Sequence, residues 1–264
     1  MIRVAYDGTD FHGWQYQPET RTVEGELNRA IKELTGEEIQ VIGASRTDAG
    51  VHALGNVAVF DTDSTIPPER FFIALNTKLP EDVKVVSSRE TDMDFHPRKT
   101  EVRKTYEYRI YNSDIPNPLK RRDYWTVPYK LDIEKMREAA SYLVGTHDFA
   151  TFCSVHTQAE STVRTIYDIT ITGGNGSKAD SNYKTGNKEK EFESNTEIKI
   201  LVTGNGFLYN MIRIIAGTLV EVGRGSHEPS WVSEILSGTD RTLGGPTAPP
   251  QGLCLMKIDY GDKV

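Results

Sequence analysis

Residues 45–50, Ser-Arg-Thr-Asp-Ala-Gly, set a guanidinium, a hydroxyl and a carboxylate on consecutive positions just ahead of a glycine. Asp48 could serve the backbone alone, by forming an Asx turn with Gly50 in a left-handed conformation. Two features point to chemistry. Arg46 and Thr47 offer donors for a phosphate or carboxylate, and a loop between predicted strands is where a rigid scaffold holds reactive groups. A second candidate lies in residues 207–221, which read as a helix. Phe207, Leu208, Met211, Ile212, Ile214, Ile215 and Leu219 cover one arc of it, and Tyr209, Asn210, Arg213 and Gly217 share the other. An arginine flanked in this way either snorkels to solvent or projects into a cleft.

Other chemistries lack their signatures. The six histidines show no His-Glu-x-x-His or comparable pair, so no metal is expected. No Gly-x-Ser-x-Gly nucleophile turn and no Gly-Lys-Ser/Thr phosphate loop occurs. Residues 204–210, GNGFLYN, follow a strand as a dinucleotide loop does, but Tyr209 stands where that motif needs its third glycine. No cofactor is expected.

Charge is distributed unevenly. The chain carries -7 overall, yet residues 96–125 hold eight basic side chains, Lys120, Arg121 and Arg122 among them, against four acidic ones. Tyr106, Tyr108, Tyr111, Tyr124 and Trp125 interleave with those charges. A surface that holds phosphates and stacks bases needs this mixture, and so does an ordinary solvated strand face.

The elements that must position these residues follow from periodicity. Residues 2–6 alternate as a strand ending at Asp7-Gly8, and residues 23–35 form an amphipathic helix capped by Thr22 and stopped by Gly36. Strands are expected at 39–44, 52–61 and 83–88, with a helix opened by Pro67-Pro68 that turns Phe71, Phe72 and Leu75 inward. The second half repeats the order: strand 102–111, helix 132–144, strands 163–172 and 196–203, helix 207–221, an added helix near 229–238, and a last strand at 253–260. Two split βαβ units in tandem emerge, an α+β fold of βαββαβ halves, with domains at 1–97 and 98–264. Residues 173–196, poor in apolar side chains, read as a long mobile loop.

At 264 residues and 37% hydrophobic, the chain can bury a core. No apolar run approaches the roughly 20 residues of a membrane helix, and the first residues lack a signal-peptide pattern, so a soluble, cytoplasmic protein without membrane partners is expected. Cys153 and Cys254, far apart, read as small core residues.

SRTDAGVHA resembles the active-site motif of the tRNA pseudouridine synthase A family. YDGTDFHGWQYQ (6–17), KTYEYRIYN (104–112), GNGFLYNMIRIIAGTL (204–219) and GPTAPPQGLCL (245–255) match its other signatures in order. The resemblance implies two ferredoxin-like or RRM-like halves whose sheets join into one continuous, mainly antiparallel sheet with a central active-site cleft. It also implies a homodimer that binds tRNA across both subunits and converts uridines on the 3′ side of the anticodon stem-loop to pseudouridine, without metal or cofactor. By the same resemblance Asp48 is the catalytic aspartate, Tyr106 the strand tyrosine and Arg213 the helix arginine, with Leu253 a pocket leucine and Arg46 the motif arginine. One position departs from the family: the residue before the motif arginine is usually glycine, and here it is Ser45. Serine would be strained if that site needed a positive φ.

Roles follow from the reaction. The base must leave the stack at a cost of about a few kcal/mol, be cut from the sugar, rotate, and rejoin through carbon 5. Tyr106 can stack on the extruded ring and assist removal of the carbon 5 proton. Asp48 acts as an anion, by covalent attack or by abstracting a sugar proton, and Arg213 supplies the cation that keeps it ionised. Lys120, Arg121 and Arg122 are assigned to phosphates. The alternative is a noncatalytic RNA-binding protein on the same halves, which would bind tRNA with no dependence on Asp48.

Overall fold

The computed structural model describes residues 1–154, 159–173 and 196–261. The expected mobile loop lies almost wholly outside these residues.

The order of elements in the first half is as periodicity predicts: β1 (Ile2–Tyr6), α1 (Val23–Thr35), β2 (Ile42–Gly43), β3 (His52–Val59), α2 (Phe71–Asn76) and β4 (Val83–Ser88). The ends of α1 form for the anticipated reasons. The Thr22 hydroxyl accepts the Gly25 N–H at 3.2 Å, and Gly36 closes the helix at φ 80°. Val23, Leu27, Ala30 and Ile31 are buried along one stripe. In α2, Phe71 and Leu75 are buried but Phe72 is only half-buried, so the inward face is narrower than expected.

The second half contains β5 (Arg103–Asn112), α3 (Ile133–Ser141), β8 (Val163–Thr172), β9 (Thr196–Gly204), α4 (Met211–Gly223) and β10 (Leu253–Asp259). To these it adds two short strands, β6 (Trp125–Val127) and β7 (Gly145–Asp148), and α5 (Trp231–Leu236). Strands of three and four residues are too short to show a period.

The strands make an open, mostly antiparallel sheet in the order β4-β1-β3-β10-β5-β9-β8-β7, with β2 on β3 and β6 on β5. The sequences β4-β1-β3-β2 and β10-β5-β9-β8 are the same ferredoxin-like arrangement, each half setting its last strand beside its first. One edge of β3 is shared. Ile42 and Gly43 pair with Val59 and Ala58 at its far end, while Cys254 and Leu255 pair in parallel with His52 and Ala53 at its start. This division accounts for β2 spanning two residues where a strand over 39–44 was expected.

The chain forms two compact units, the first comprising Met1–Tyr106, Thr203–Gly206 and Leu253–Val264 and the second Glu107–Val202 and Phe207–Gly252. The first unit thus takes in more than residues 1–97, because β10 returns to β3. Cys153 and Cys254 are both buried and neither is in a disulfide, as expected of core residues.

Candidate active site

In the first unit the loop bearing Asp48 is clamped from below. Ser45 and Thr47 are buried, Arg46 is exposed and Asp48 is half-buried, an alternation that sends every second side chain inward. The Tyr6 hydroxyl and Thr47 Oγ1 are hydrogen-bonded at 2.7 Å. Asn56, fully buried on β3, donates from Nδ2 to the Tyr6 hydroxyl at 3.2 Å and to the Ser45 carbonyl at 3.0 Å. A buried amide without partners would cost about 1–3 kcal/mol, so these bonds hold loop and strand in one arrangement. A lone asparagine among the apolar residues and glycine of 53–59 was the signal in the sequence that could have revealed this network.

Residues 8–14 close the loop from the other side. The Trp14 N–H donates to the Thr47 carbonyl at 3.0 Å, and the Gly50 N–H to the Phe11 carbonyl at 3.2 Å. Gly13 has φ 90°, and a Cβ there would lie 2.8 Å from the Thr47 oxygen, so only glycine permits this approach. Gly50 is left-handed (φ 77°) as anticipated, but the amide that an Asx turn would direct at the Asp48 carboxylate goes to Phe11. A backbone bond, Val51 N–H to the Asp48 carbonyl at 3.1 Å, closes the turn.

The same unit brings Tyr106 and Leu253 to this loop. Tyr106 is buried at 7% exposure, and its hydroxyl lies 2.8 Å from Ser45 Oγ. Burial pushes its phenol up to about 12, the Ser45 hydrogen bond opposes the rise, and the nearby Asp48 charge adds to it. Leu253, buried, opens β10, whose next residue pairs with His52 just beyond the loop. Ser45 is absent from the left-handed residues, so the serine carries no such strain.

Arg213 belongs to the second unit. Its helix begins at Met211, four residues later than periodicity suggests, because Asn210 turns left-handed (φ 61°) and ends the preceding segment. Arg213 is half-buried. Its Nε donates to the Ala248 carbonyl at 2.7 Å and its Nη1 to Asn210 Oδ1 at 2.8 Å. The carbonyl is in reach because Gly217 lets the chain cross the helix: a Cβ there would lie 1.9 Å from the Pro246 oxygen. Gly217 is therefore buried under this crossing rather than on an open arc.

Lys120, Arg121 and Arg122 also lie in the second unit. Lys120 pairs with Glu197 and sits 4.5 Å from the Tyr124 ring centre, while Arg121 and Arg122 are exposed. Tyr106, Tyr108, Tyr111 and Tyr124 are all buried, and Arg109 is bound to Glu107 and Asp123. The tyrosines of the tract are thus internal packing rather than an open stacking surface, while Arg98, Lys99, Arg103, Arg121 and Arg122 remain exposed. β5 is buried on both faces over most of its length, Tyr106, Tyr108 and Tyr111 included.

The buried phenols make stability sensitive to alkali. Burial raises Tyr6 and Tyr106 alike, so both stay protonated in the fold at pH values where the unfolded chain begins to ionise. The contribution of Tyr106 is complete below the ordinary value of 10.0 and is lost as pH rises through about 12. For Tyr106 this amounts to roughly 2–3 kcal/mol. Urea midpoints measured across that range should fall steeply, and less steeply in Tyr106→Phe; identical slopes would contradict the assignment.

Among the described residues no group of three or more His, Cys, Asp or Glu is placed to hold a metal ion, and no helix is long and apolar enough to cross a membrane.

The profile of a family described as tRNA pseudouridine synthase matches residues 2–98 and 139–261. The chain is 48% identical over 260 residues to the tRNA pseudouridine synthase A of Thermoanaerobacter sp. (strain X514), covering 98% of each chain. It is 46% identical over 257 residues to that of Acetivibrio thermocellus, covering 97% of each. It is 42% identical over 259 residues to tRNA pseudouridine synthase A 2 of Clostridium perfringens, covering 98% of each. With matches of this extent lying across both the Asp48 loop and the Arg213 helix, the chain belongs to the tRNA pseudouridine synthase family.

Proposed function

We propose that the protein isomerises uridine to pseudouridine in tRNA, on the 3′ side of the anticodon stem-loop, with Asp48 as the reactive carboxylate. The observation that carries this reading is the clamped loop, which presents a half-buried carboxylate within electrostatic range of a buried phenol, in a chain of this family.

The reaction sets the roles. The C1′–N1 bond breaks and a C1′–C5 bond forms; carbon 5 loses a proton and N1 gains one, so the change is balanced without an outside redox partner. Asp48 works as an anion, as nucleophile at the sugar or as base for a sugar proton. Away from water a carboxyl group favours its protonated form, and the Arg213 guanidinium supplies the positive charge that opposes this. Tyr106 stacks on the extruded uracil and assists departure of the carbon 5 proton, while Leu253 contributes an apolar wall. Arg46, Lys120, Arg121 and Arg122 contact the RNA, with phosphate replacing Glu197 as the counterion of Lys120. We further propose that the enzyme acts in the cytoplasm as a homodimer, without metal or cofactor.

The test uses tRNA carrying tritium at carbon 5 of its uridines, with no added cofactor. The purified protein is expected to release tritium to water in step with pseudouridine formation. Tight binding of the tRNA without release would instead identify a noncatalytic RNA-binding protein.

A further inference from the structure

We infer that Ser45 is a positioning residue that orients the Tyr106 hydroxyl for its part in the reaction, a role that rests on the proposed participation of Tyr106. Ser45 stands where the family resemblance leads one to expect glycine, which has no side chain to offer. Its Oγ lies 2.8 Å from the phenolic oxygen, and both residues are more than nine-tenths buried. A phenol removed from water and hydrogen-bonded to a buried hydroxyl has few other orientations available.

The serine is itself held firmly. Its carbonyl accepts the buried Asn56 amide at 3.0 Å, and its neighbour on the same inward face, Thr47, bonds the Tyr6 hydroxyl at 2.7 Å. Two loop hydroxyls therefore engage two tyrosines, and Asp48 follows directly in the chain. A displacement of Ser45 would be felt by the loop that carries the carboxylate, so the hydrogen bond also ties the proposed proton-handling group to the reactive one.

The chemical need is geometric. A phenolic oxygen has one proton and two lone pairs; if Ser45 occupies one of these sites, the direction of the others toward the uracil ring is set before substrate arrives. The preorganised bond also opposes the rise that burial imposes on the phenol.

The test is a double-mutant cycle in single-turnover release of carbon 5 tritium. Ser45→Ala, which removes the hydroxyl and little volume, is expected to slow release roughly tenfold in the wild-type background. The tRNA dissociation constant should stay within about twofold, and deuterium at carbon 5 should slow the variant more than it slows the wild type. In a Tyr106→Phe background Ser45→Ala should have no further effect. A purely structural role would persist in that background and leave the isotope effect unchanged. An unaltered Ser45→Ala rate beside an impaired Tyr106→Phe overturns this inference and leaves the assignment of Tyr106 standing. An unimpaired Tyr106→Phe removes the assignment of Tyr106, and this inference with it. Should Ser45→Ala melt at a lower temperature, Ser45→Gly is measured in its place, with the same expected outcomes.

Discussion

Asp48→Asn is expected to abolish turnover, lowering the rate of carbon 5 tritium release by at least about a thousandfold, while tRNA affinity and melting temperature stay close to wild type. The expected separation of activity from folding comes from the way the loop is held. Its described bonds run through the Asp48 carbonyl, the Gly50 amide, the Thr47 hydroxyl and carbonyl, and the Ser45 carbonyl. An isosteric amide leaves each of these in place while removing the charge and turning one acceptor oxygen into an N–H donor. A large fall in affinity or stability would mean that the carboxylate is chiefly a structural or RNA-contacting group. Retained turnover would remove it from the reaction.

Arg213→Lys should lower the single-turnover rate about a hundredfold, although the formal charge is kept. The guanidinium satisfies the Ala248 carbonyl and Asn210 Oδ1 with separate nitrogens at 2.7 and 2.8 Å, which fixes its plane. A lysine ammonium is a single point charge on a flexible stem and cannot hold both acceptors while directing further donors elsewhere. The proposed function needs that directed charge to keep Asp48 ionised. The same substitution leaves the Ala248 carbonyl poorly satisfied, at a cost of about 1–2 kcal/mol in stability, so the rate is measured well below the melting temperature. A near-normal rate would show that a positive charge placed anywhere nearby is sufficient, and the case for a fixed guanidinium would fall.

Much of this arrangement was legible from residue order. Helix α1 is written in its apolar spacing and its threonine and glycine ends, and β8 and β9 alternate clearly enough for their bounds to be read closely. Arg46 and Asp48 stood out because polar, reactive side chains sat together in a short loop. These signals act over a few residues, through backbone preference and side-chain periodicity, and need no knowledge of distant segments. The start of α4 was misread for a related reason. Phe207 and Leu208 extend the apolar pattern of the helix, but Asn210 adopts a left-handed conformation that no periodicity records.

The sequence by itself carried the order of the longer elements and marked a candidate carboxylate and arginine, while Tyr106 entered only through the family resemblance. Only the tertiary structure decided that β10 would occupy part of the β3 edge and leave β2 two residues long, that Asn56 and Thr47 would hold the loop, that Ala248 would orient Arg213, and that Ser45 would reach Tyr106. The physical reason is that hydrogen-bond donors and strand edges are indifferent to distance along the chain. Which of the available partners satisfies a buried polar group is settled when the core closes around it, and in this protein Ala248 lies 35 residues from Arg213, Tyr106 lies 61 from Ser45, and β10 comes from the far end of the chain to pair with β3.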